Sequence, residues 1–181
     1  MSGQARILLV SGSTRGGSSN TAALATAAGI APSQVTPVLY DGLAELPAFN
    51  PDQDGDLLPA AAAELRRQIA EADAVLFCSP EYAGTLPGSL KNLLDWTVGG
   101  GEFAGKPAAW INVAVGGRGQ GAEDTLASVL GYVDADIVEA ACRRIPVDRE
   151  AIGPDGTVIG FQFALDIAEV WDALLSHLGK L

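Results

Sequence analysis

Two kinds of segment alternate along the chain: short continuous apolar runs, and longer segments in which apolar residues recur at helical spacing. Continuous apolar runs are typical of strands that are buried on both faces of a sheet. The predicted strands are residues 5–11, 34–40, 74–79, 107–115 and 135–141. The predicted helices are residues 20–29, 59–72, 87–98, 122–133 and 161–178. Strands that alternate with helices pair in parallel through right-handed crossovers, so the pattern predicts an α/β fold.

Five such units fit a doubly wound, five-stranded parallel sheet of order 2-1-3-4-5 with helices on both faces. In this topology the strand order reverses between the first and third strands, and ligands bind there, outside the carboxyl ends of the strands. We therefore expect the loops after the first, third and fourth strands to converge. The chain of 181 residues suits a single domain over residues 1–181, and no repeat or linker interrupts it.

The loop after the first strand has the chemistry of an anion site. Its sequence is VSGSTRGGSSNT over residues 10–21, and it leads from a strand into an alanine-rich helix. Free backbone N–H groups and the positive end of the helix dipole attract anions at such a place. Serine and threonine hydroxyls, the amide of Asn20 and the guanidinium of Arg15 add donors that suit a terminal phosphate. The GxxxxGK[ST] and GxGxxG patterns are missing, and a plain hydrophilic turn with a Ser or Asn N-cap is the alternative.

The loops after the third and fourth strands could frame a planar ring. Residues 80–87 hold prolines, a glycine and Tyr82, so backbone groups could hydrogen-bond the rim of a heterocycle while Tyr82 supplies aromatic surface. The alternative is a proline-rich turn before a helix that carries an exposed Lys91–Asp95 pair. Residues 116–121 include four glycines, which let the backbone approach a ligand closely. A flexible lid or a strained helix entry would have the same composition.

Charge and composition exclude several classes of function. The net charge of −11 argues against nucleic acid and anionic membranes as partners. No window approaches the roughly 20 apolar residues of a membrane span, and no cleavable leader is evident, so we expect a cytoplasmic protein. Cys78 and Cys142 fall in apolar runs and are interpreted as buried residues, not as a disulfide or a metal pair. His177, the single histidine, lies near the end of the last helix. With no catalytic triad and no cluster of metal ligands in view, we predict no catalytic side chain and no metal.

Two of these segments resemble one known family. Residues 12–20, GSTRGGSSN, resemble the GSxRxxSxN loop of NAD(P)H-dependent FMN reductases. Residues 80–96, PEYAGTLPGSLKNLLDW, resemble the PEYNxxxPGxLKNxxDW segment of the same family. The similarity extends over essentially the whole chain. It implies a flavodoxin-like fold and an NAD(P)H-dependent oxidoreductase that uses FMN and NAD(P)H.

The resemblance also implies which residues hold FMN. The phosphate would be held by Ser13, Arg15, Ser18, Ser19, Asn20 and Thr21. The ring would be edged by Pro80, Glu81, Tyr82, Ala83 and Gly84, with Gly116 and Gly117 closing a third side. The chain departs from the family at Ala83, where Asn is usual, and near Val115, where a Ser is often found. Losing that amide and hydroxyl could weaken FMN binding or change the reactivity of the flavin. Glu81, the only carboxylate in the predicted site, is interpreted first as a loop-shaping group.

By the same resemblance, hydride would pass from the nicotinamide to the flavin, and electrons would then pass to a small-molecule acceptor. The acceptor would be FMN, a quinone, an azo compound or a metal oxyanion. Family members form dimers, so a homodimer or homotetramer is implied, and the apolar face of the third helix (Leu90, Leu93 and Leu94) is either its interface or core. Two other hypotheses stay open. One is a flavodoxin-type electron carrier without NAD(P)H activity, and the other is a regulatory or scaffold protein that has lost FMN.

Overall fold

The computed structural model describes residues 4–181 and has strands and helices in alternation. The strands are β1 (Ala5–Ser11), β2 (Val35–Tyr40), β3 (Ala74–Cys78), β4 (Pro107–Asn112), β5 (Asp136–Ile137) and β6 (Arg143–Arg144). The α-helices are α1 (Ser19–Gly29), α2 (Ala60–Glu71), α3 (Gly88–Asp95), α4 (Gln120–Tyr132) and α5 (Phe161–His177). Four short 3₁₀ helices lie in the connections. The predicted elements are confirmed with their bounds shifted by a few residues, except at the fifth strand.

The sheet has the predicted order β2-β1-β3-β4-β5, and all its pairings are parallel. Strand β3 is buried along its whole length, which explains its continuous apolar sequence. Strand β2 lies at an edge, where Pro37 does not have to donate a hydrogen bond to a second neighbour. The doubly wound, parallel α/β fold expected from the pattern is therefore confirmed.

The prediction of one strand over 135–141 is wrong. Strands β5 and β6 both pair with β4, with Ile137 beside Ala108 and Arg143 beside Ile111. Between these two pairs the chain advances six residues, from Ile137 to Arg143, while β4 advances only three. The extra residues form a 3₁₀ turn, Glu139–Ala141. Val138, just before this turn, and Ala141, its last residue, are buried in the same core cluster as α5, so the sequence pattern resembled that of a strand. The segment 143–160, for which no element was predicted, accordingly begins with a short strand, and Cys142 lies just before it, outside any strand.

Two apolar layers enclose the sheet. Helices α1 and α5 pack on one face, and helices α2, α3 and α4 pack on the other. Leu90, Leu93 and Leu94 of α3 are fully buried, so the apolar face of this helix is core and does not form an interface between subunits. Among the described residues, no helix combines the length and the apolar character that crossing a membrane would require.

Two of the three tryptophans are core packing residues. Trp96 and Trp171 are almost fully buried, one on each side of the sheet. Each indole N–H donates to a backbone carbonyl, Trp96 to Pro47 at 2.8 Å and Trp171 to Ala27 at 3.3 Å. A buried indole needs such a partner, because an unpaired donor away from water is costly. The long 41–58 segment is thereby attached to the end of α3.

Candidate active site

The β1–α1 loop leaves the sheet through a position that only glycine fits. The backbone N–H of Gly12 donates to the carbonyl of Cys78 at 2.9 Å, which holds the loop against the end of β3. A Cβ on Gly12 would lie 2.4 Å from the Ser79 hydroxyl oxygen, far inside contact distance. Ser18 then caps α1 by accepting from the backbone N–H of Asn20 at 3.3 Å. The loop therefore presents the amino end of α1 at the carboxyl edge of the sheet, as an anion site requires.

The side chains of this loop face two different cavities. Ser13, Arg15 and Thr21 line a cavity of about 370 Å³ between the loop and the end of β2. We call it the β2-side cavity. Ser19 and Asn20 line a second one, of about 310 Å³, which we call the central cavity. Ser18 is buried, so its hydroxyl shapes the helix start rather than either cavity.

The central cavity lies where the topology predicted, between the ends of β1, β3 and β4. It is lined by Ser19 and Asn20 after β1, by Ser79, Pro80 and Glu81 after β3, by Val113, Ala114, Val115, Arg118 and Gly119 after β4, and by Val147 and Arg149 after β6. The first two loops contribute predicted residues. Gly116 and Gly117 do not line the cavity, although their neighbours Val115 and Arg118 do. The contribution after β6 was not predicted.

The segment after β3 forms a tight turn. Tyr82 and Thr85 exchange backbone hydrogen bonds of 3.0 and 3.1 Å. Between them, Ala83 has φ +52° and Gly84 has φ +76°, two positive values in succession as in a type I′ turn. Such a turn prefers Asn-Gly, since Asn tolerates the left-handed region better than Ala does. Tyr82, Ala83 and Gly84 lie on the exposed tip of this turn, outside the lining of the central cavity.

Glu81 connects this turn to α4. Its Oε2 accepts from the backbone N–H of Gly121 at 2.8 Å, in the first turn of the helix, where a carboxylate also complements the helix dipole. A Cβ on Gly121 would lie 2.0 Å from the carbonyl oxygen of Gly84, so only glycine allows this approach. The loop-shaping role expected of Glu81 accounts for its position. Two of the three site loops are thus held as one unit.

The glycine loop after β4 is braced by a buried amide. Gly116, Gly117 and Gly119 all have positive φ, from +70° to +96°. Asn112, 4% exposed at the end of β4, donates from Nδ2 to the carbonyl of Arg118 at 3.1 Å. Its Oδ1 accepts from the backbone N–H of Ala114 at 2.9 Å. Asn112 therefore fixes this loop at both ends, and the only sequence signal for it was an amide inside an apolar strand.

The unpaired arginines of the chain are found at this edge of the sheet. The lysines and arginines that pair with carboxylates are Arg6, Arg66, Arg67, Lys91, Arg143, Arg144 and Lys180. Lys106 instead donates to the carbonyl of Ala72 at 2.5 Å. Over residues 4–181, Arg15, Arg118 and Arg149 have no carboxylate partner, and all three line one of the two cavities. Arg15 and Arg118 each donate to one backbone carbonyl of their own loop, that of Gly17 and that of Val115. In a chain with 22 acidic residues, such arginines favour an anionic ligand.

The cysteines and the histidine are not placed to do chemistry at the site. Cys78 is fully buried, its Sγ lies 3.3 Å from Oδ1 of Asn20, and burial raises its thiol pKa. Cys142 is only partly buried, contrary to the prediction, and this partial burial raises the pKa of its thiol to about 11. His177 contacts Asp136 at 2.7 Å. Asp136 is the first residue of β5, so this pair lies at the amino ends of the strands and not at the carboxyl ends, where the site is. Among the residues that the structure describes, no cluster of three potential metal ligands is present.

The parallel sheet of order 2-1-3-4-5 with helices on both faces defines a flavodoxin-like α/β protein. The chain belongs to the NADPH-dependent FMN reductase family, whose model matches residues 5–145. The expected family and the class of enzyme, an NAD(P)H-dependent reductase of the FMN and quinone reductase type, are confirmed.

Individual relatives agree with this assignment. Over 118 residues the chain is 41% identical to an NAD(P)H-dependent FMN reductase of Pseudomonas aeruginosa, covering 64% of this chain and 63% of that protein, somewhat under two thirds of its length. Over 158 residues it is 34% identical to a 2-hydroxy-1,4-benzoquinone reductase of a Burkholderia species, covering 85% of each. The solved structure of FerB, a flavoenzyme NAD(P)H:(acceptor) oxidoreductase from Paracoccus denitrificans, superposes with a TM-score of 0.85 at 28% identity. That match covers 97% of this chain and 98% of FerB.

Proposed function

We propose that this protein binds FMN across the carboxyl edge of its sheet, reduces it with NAD(P)H and passes the electrons to a quinone. The observation that carries the proposal is Arg15. It has no carboxylate partner, lies beside the Ser13 hydroxyl and follows the end of β1, where a phosphate would also meet the amino end of α1. A loop with these donors fits a phosphate monoester, so the residues present fit the nucleotide that the family uses.

The predicted binding residues take different roles in this proposal. Ser13, Arg15 and Thr21 would contact the phosphate from the β2-side cavity, and Ser19 and Asn20 would do so from the central cavity. Ser18 would act indirectly, because its hydroxyl is used to cap α1. Pro80, Glu81, Tyr82, Ala83 and Gly84 after β3, and Gly116 and Gly117 after β4, would frame the ring.

The bound flavin would accept hydride from the nicotinamide and donate electrons to the acceptor. The protein would position the two rings and exclude water, and no side chain of the site has to act as acid or base. The hydrogen bond between Glu81 and Gly121 would keep the two ring-framing loops in register. A quinone is favoured as acceptor because several relatives, among them the Burkholderia protein, are named for quinone reduction.

The test begins with the purified protein and FMN. We expect a yellow protein, or one that takes up FMN on titration, and bleaching of the flavin by NADPH under anaerobic conditions. Replacing Ser13 and Arg15 together with Ala should weaken FMN binding by roughly 30-fold or more, since charge-assisted hydrogen bonds contribute about 1.5–3 kcal/mol each. Riboflavin, which lacks the phosphate, should bind the double variant and the wild type alike. Arg67→Ala, which removes an exposed guanidinium on α2, is the control.

Three results would contradict the proposal. A protein that takes up no FMN would be the regulatory or scaffold protein. A protein that binds FMN but does not oxidise NADPH in the presence of a quinone would be the flavodoxin-type carrier. Unchanged FMN affinity in the double variant would place the phosphate elsewhere.

We also propose that the protein is a cytoplasmic homodimer or homotetramer. The family resemblance supports this, and since α3 is core, the interface would use another surface. Light scattering on a size-exclusion column measures the subunit number, and a monomeric mass would contradict it.

A further inference from the structure

The central cavity contains two arginines that the proposed flavin phosphate site does not use. Arg118 and Arg149 line it, whereas Arg15 lines the β2-side cavity. Within the described residues, neither has a carboxylate within the 4.0 Å that defines an ion pair. Apart from Arg15, the other arginines of this acidic chain pair with a carboxylate, as Arg143 does with Glu169 at 2.7 Å. Two unpaired guanidinium groups in one cavity therefore need a different explanation.

The position of Arg118 is fixed by its own loop. Its Nε donates to the carbonyl of Val115 at 3.1 Å, and its own carbonyl accepts from the buried amide of Asn112 at 3.1 Å. With Nε occupied, the two terminal nitrogens are left to donate to a ligand. An arginine held in this way loses less rotamer entropy on binding than a free one.

Arg149 reaches the cavity from the other side. It begins a 3₁₀ helix, Arg149–Ala151, two residues after Val147. The backbone N–H of Val147 donates to the carbonyl of Val113 at 3.0 Å, which ties this segment to the end of β4. Both arginines are thus anchored to residues that follow β4, and a single group in the cavity could contact both.

The acidic groups near the cavity do not cancel this charge. Of the residues that the structure describes, Glu81 is the only carboxylate that lines it, and one of its oxygens already accepts from Gly121. Asp148 and Glu150 flank Arg149 in sequence, but both are exposed and neither forms an ion pair with it. The cavity therefore offers two cations with free donors to whatever enters.

We propose that Arg118 and Arg149 form a second anion-binding subsite, which binds the negatively charged group of the substrate that meets the flavin. The inference rests on the proposed function. That substrate is either the nicotinamide nucleotide, which would bind through its phosphates, or an electron acceptor that carries an anionic group such as a sulfonate or an ionised hydroxyl. Both present oxyanions that a guanidinium binds with paired hydrogen bonds. The subsite positions the substrate and takes no part in electron transfer.

The experiment compares four proteins loaded with FMN. They are the wild type, the double variant Arg118→Ala with Arg149→Ala, the double variant in which both become Lys, and the control Arg143→Ala. Calorimetry measures the Kd of NADP⁺, which binds without reacting. Steady-state assays measure KM for a neutral quinone, 1,4-naphthoquinone, and for its 2-sulfonate. Fluorescence titration measures the Kd of FMN, and circular dichroism checks that each variant is folded.

We expect the double alanine variant to weaken one anionic ligand at least tenfold, while KM for the neutral quinone and the Kd of FMN change less than twofold. A rise in the Kd of NADP⁺ identifies the nucleotide as the source of the anion, and a rise in KM for the sulfonate identifies the acceptor. The double lysine variant should recover most of the loss, because a positive charge is kept. Arg143→Ala should match the wild type.

Three outcomes overturn the inference. In the first, both anionic ligands bind the double alanine variant as they bind the wild type. In the second, the Kd of FMN rises in parallel, which assigns the arginines to the flavin phosphate. In the third, KM rises equally for the neutral and the sulfonated quinone, which indicates that the substitutions have disrupted the cavity as a whole. A wild type that takes up no FMN is a separate result and refutes the proposed function itself.

Discussion

The turn at Ala83 stores strain that a single substitution should release. Ala83 has φ +52° and is exposed, so its methyl group contributes little packing while its backbone occupies the left-handed region. A non-glycine residue there costs roughly 1–2 kcal/mol relative to the right-handed region. Glycine would remove that cost but adds about 0.5–1 kcal/mol of unfolded-state entropy. The net gain of Ala83→Gly is therefore about 0.5–1 kcal/mol, and Ala83→Asn should gain about as much because Asn tolerates this conformation.

Thermal unfolding of the flavin-free protein measures this gain. For a chain of this size, 1 kcal/mol shifts Tm by about 2–4 °C, so both variants should unfold at about 1–4 °C above the wild type. Ala63→Gly is the matched control, because Ala63 is also exposed but lies in α2, where glycine should lower Tm by about 2–4 °C. Should Ala83→Gly and Ala63→Gly both lower Tm by the same amount, the turn is not strained and the argument fails.

Three further predictions concern the same edge of the sheet. Glu81→Ala should lower the free energy of unfolding in urea by about 1–2 kcal/mol, since the N–H of Gly121 at the start of α4 loses its acceptor. Glu81→Gln keeps an acceptor but not the charge, so it should lower the free energy of unfolding less. Equal losses in the two variants would contradict a role for the charge. Gly121→Ala should lower Tm, because the added Cβ would lie 2.0 Å from the carbonyl oxygen of Gly84. The control, Gly131→Ala, should raise Tm, because a Cβ there meets no atom within 4 Å. The reverse order of the two Tm values would refute the packing at Gly121. The thiol of Cys142, whose pKa burial raises to about 11, should react with a disulfide reagent at pH 8 much more slowly in the native protein than in urea, and equal rates would contradict its burial.

The sequence predicted the sheet order and the convergence of three loops because both follow from the alternation of buried strands with helices. It misplaced the fifth strand because a 3₁₀ turn packed in the core with α5 has an apolar pattern that strands also have. Periodicity over seven residues cannot separate the two, since the difference lies in pairing with β4 and that contact is distant in sequence.

Only part of the site was predicted, because the sequence does not show which loop and strand residues contact one another. Motifs name residues that follow strands β1, β3 and β4, but Arg149 lies in a polar segment without a motif. Asn112 carries no signal beyond its polarity, because its role depends on a loop six residues further on. The strain at Ala83 could not be read from sequence either; the family comparison marked the position, and the positive φ supplies the physical reason why Asn is favoured there.

The net negative charge of the molecule and the positive arginines at its site should affect the binding rate of an anionic substrate in opposite ways. An overall charge of −11 repels a dissolved anion as it approaches, and the repulsion extends over about 8–10 Å at ordinary ionic strength. Adding salt should therefore accelerate the encounter with NADPH or a sulfonated quinone, while a neutral quinone should arrive at the same rate in any buffer. Once the anion reaches the sheet edge, salt should have the opposite effect and hasten its departure from the guanidinium groups. Stopped-flow measurements at several salt concentrations would separate the long-range barrier from the local attraction.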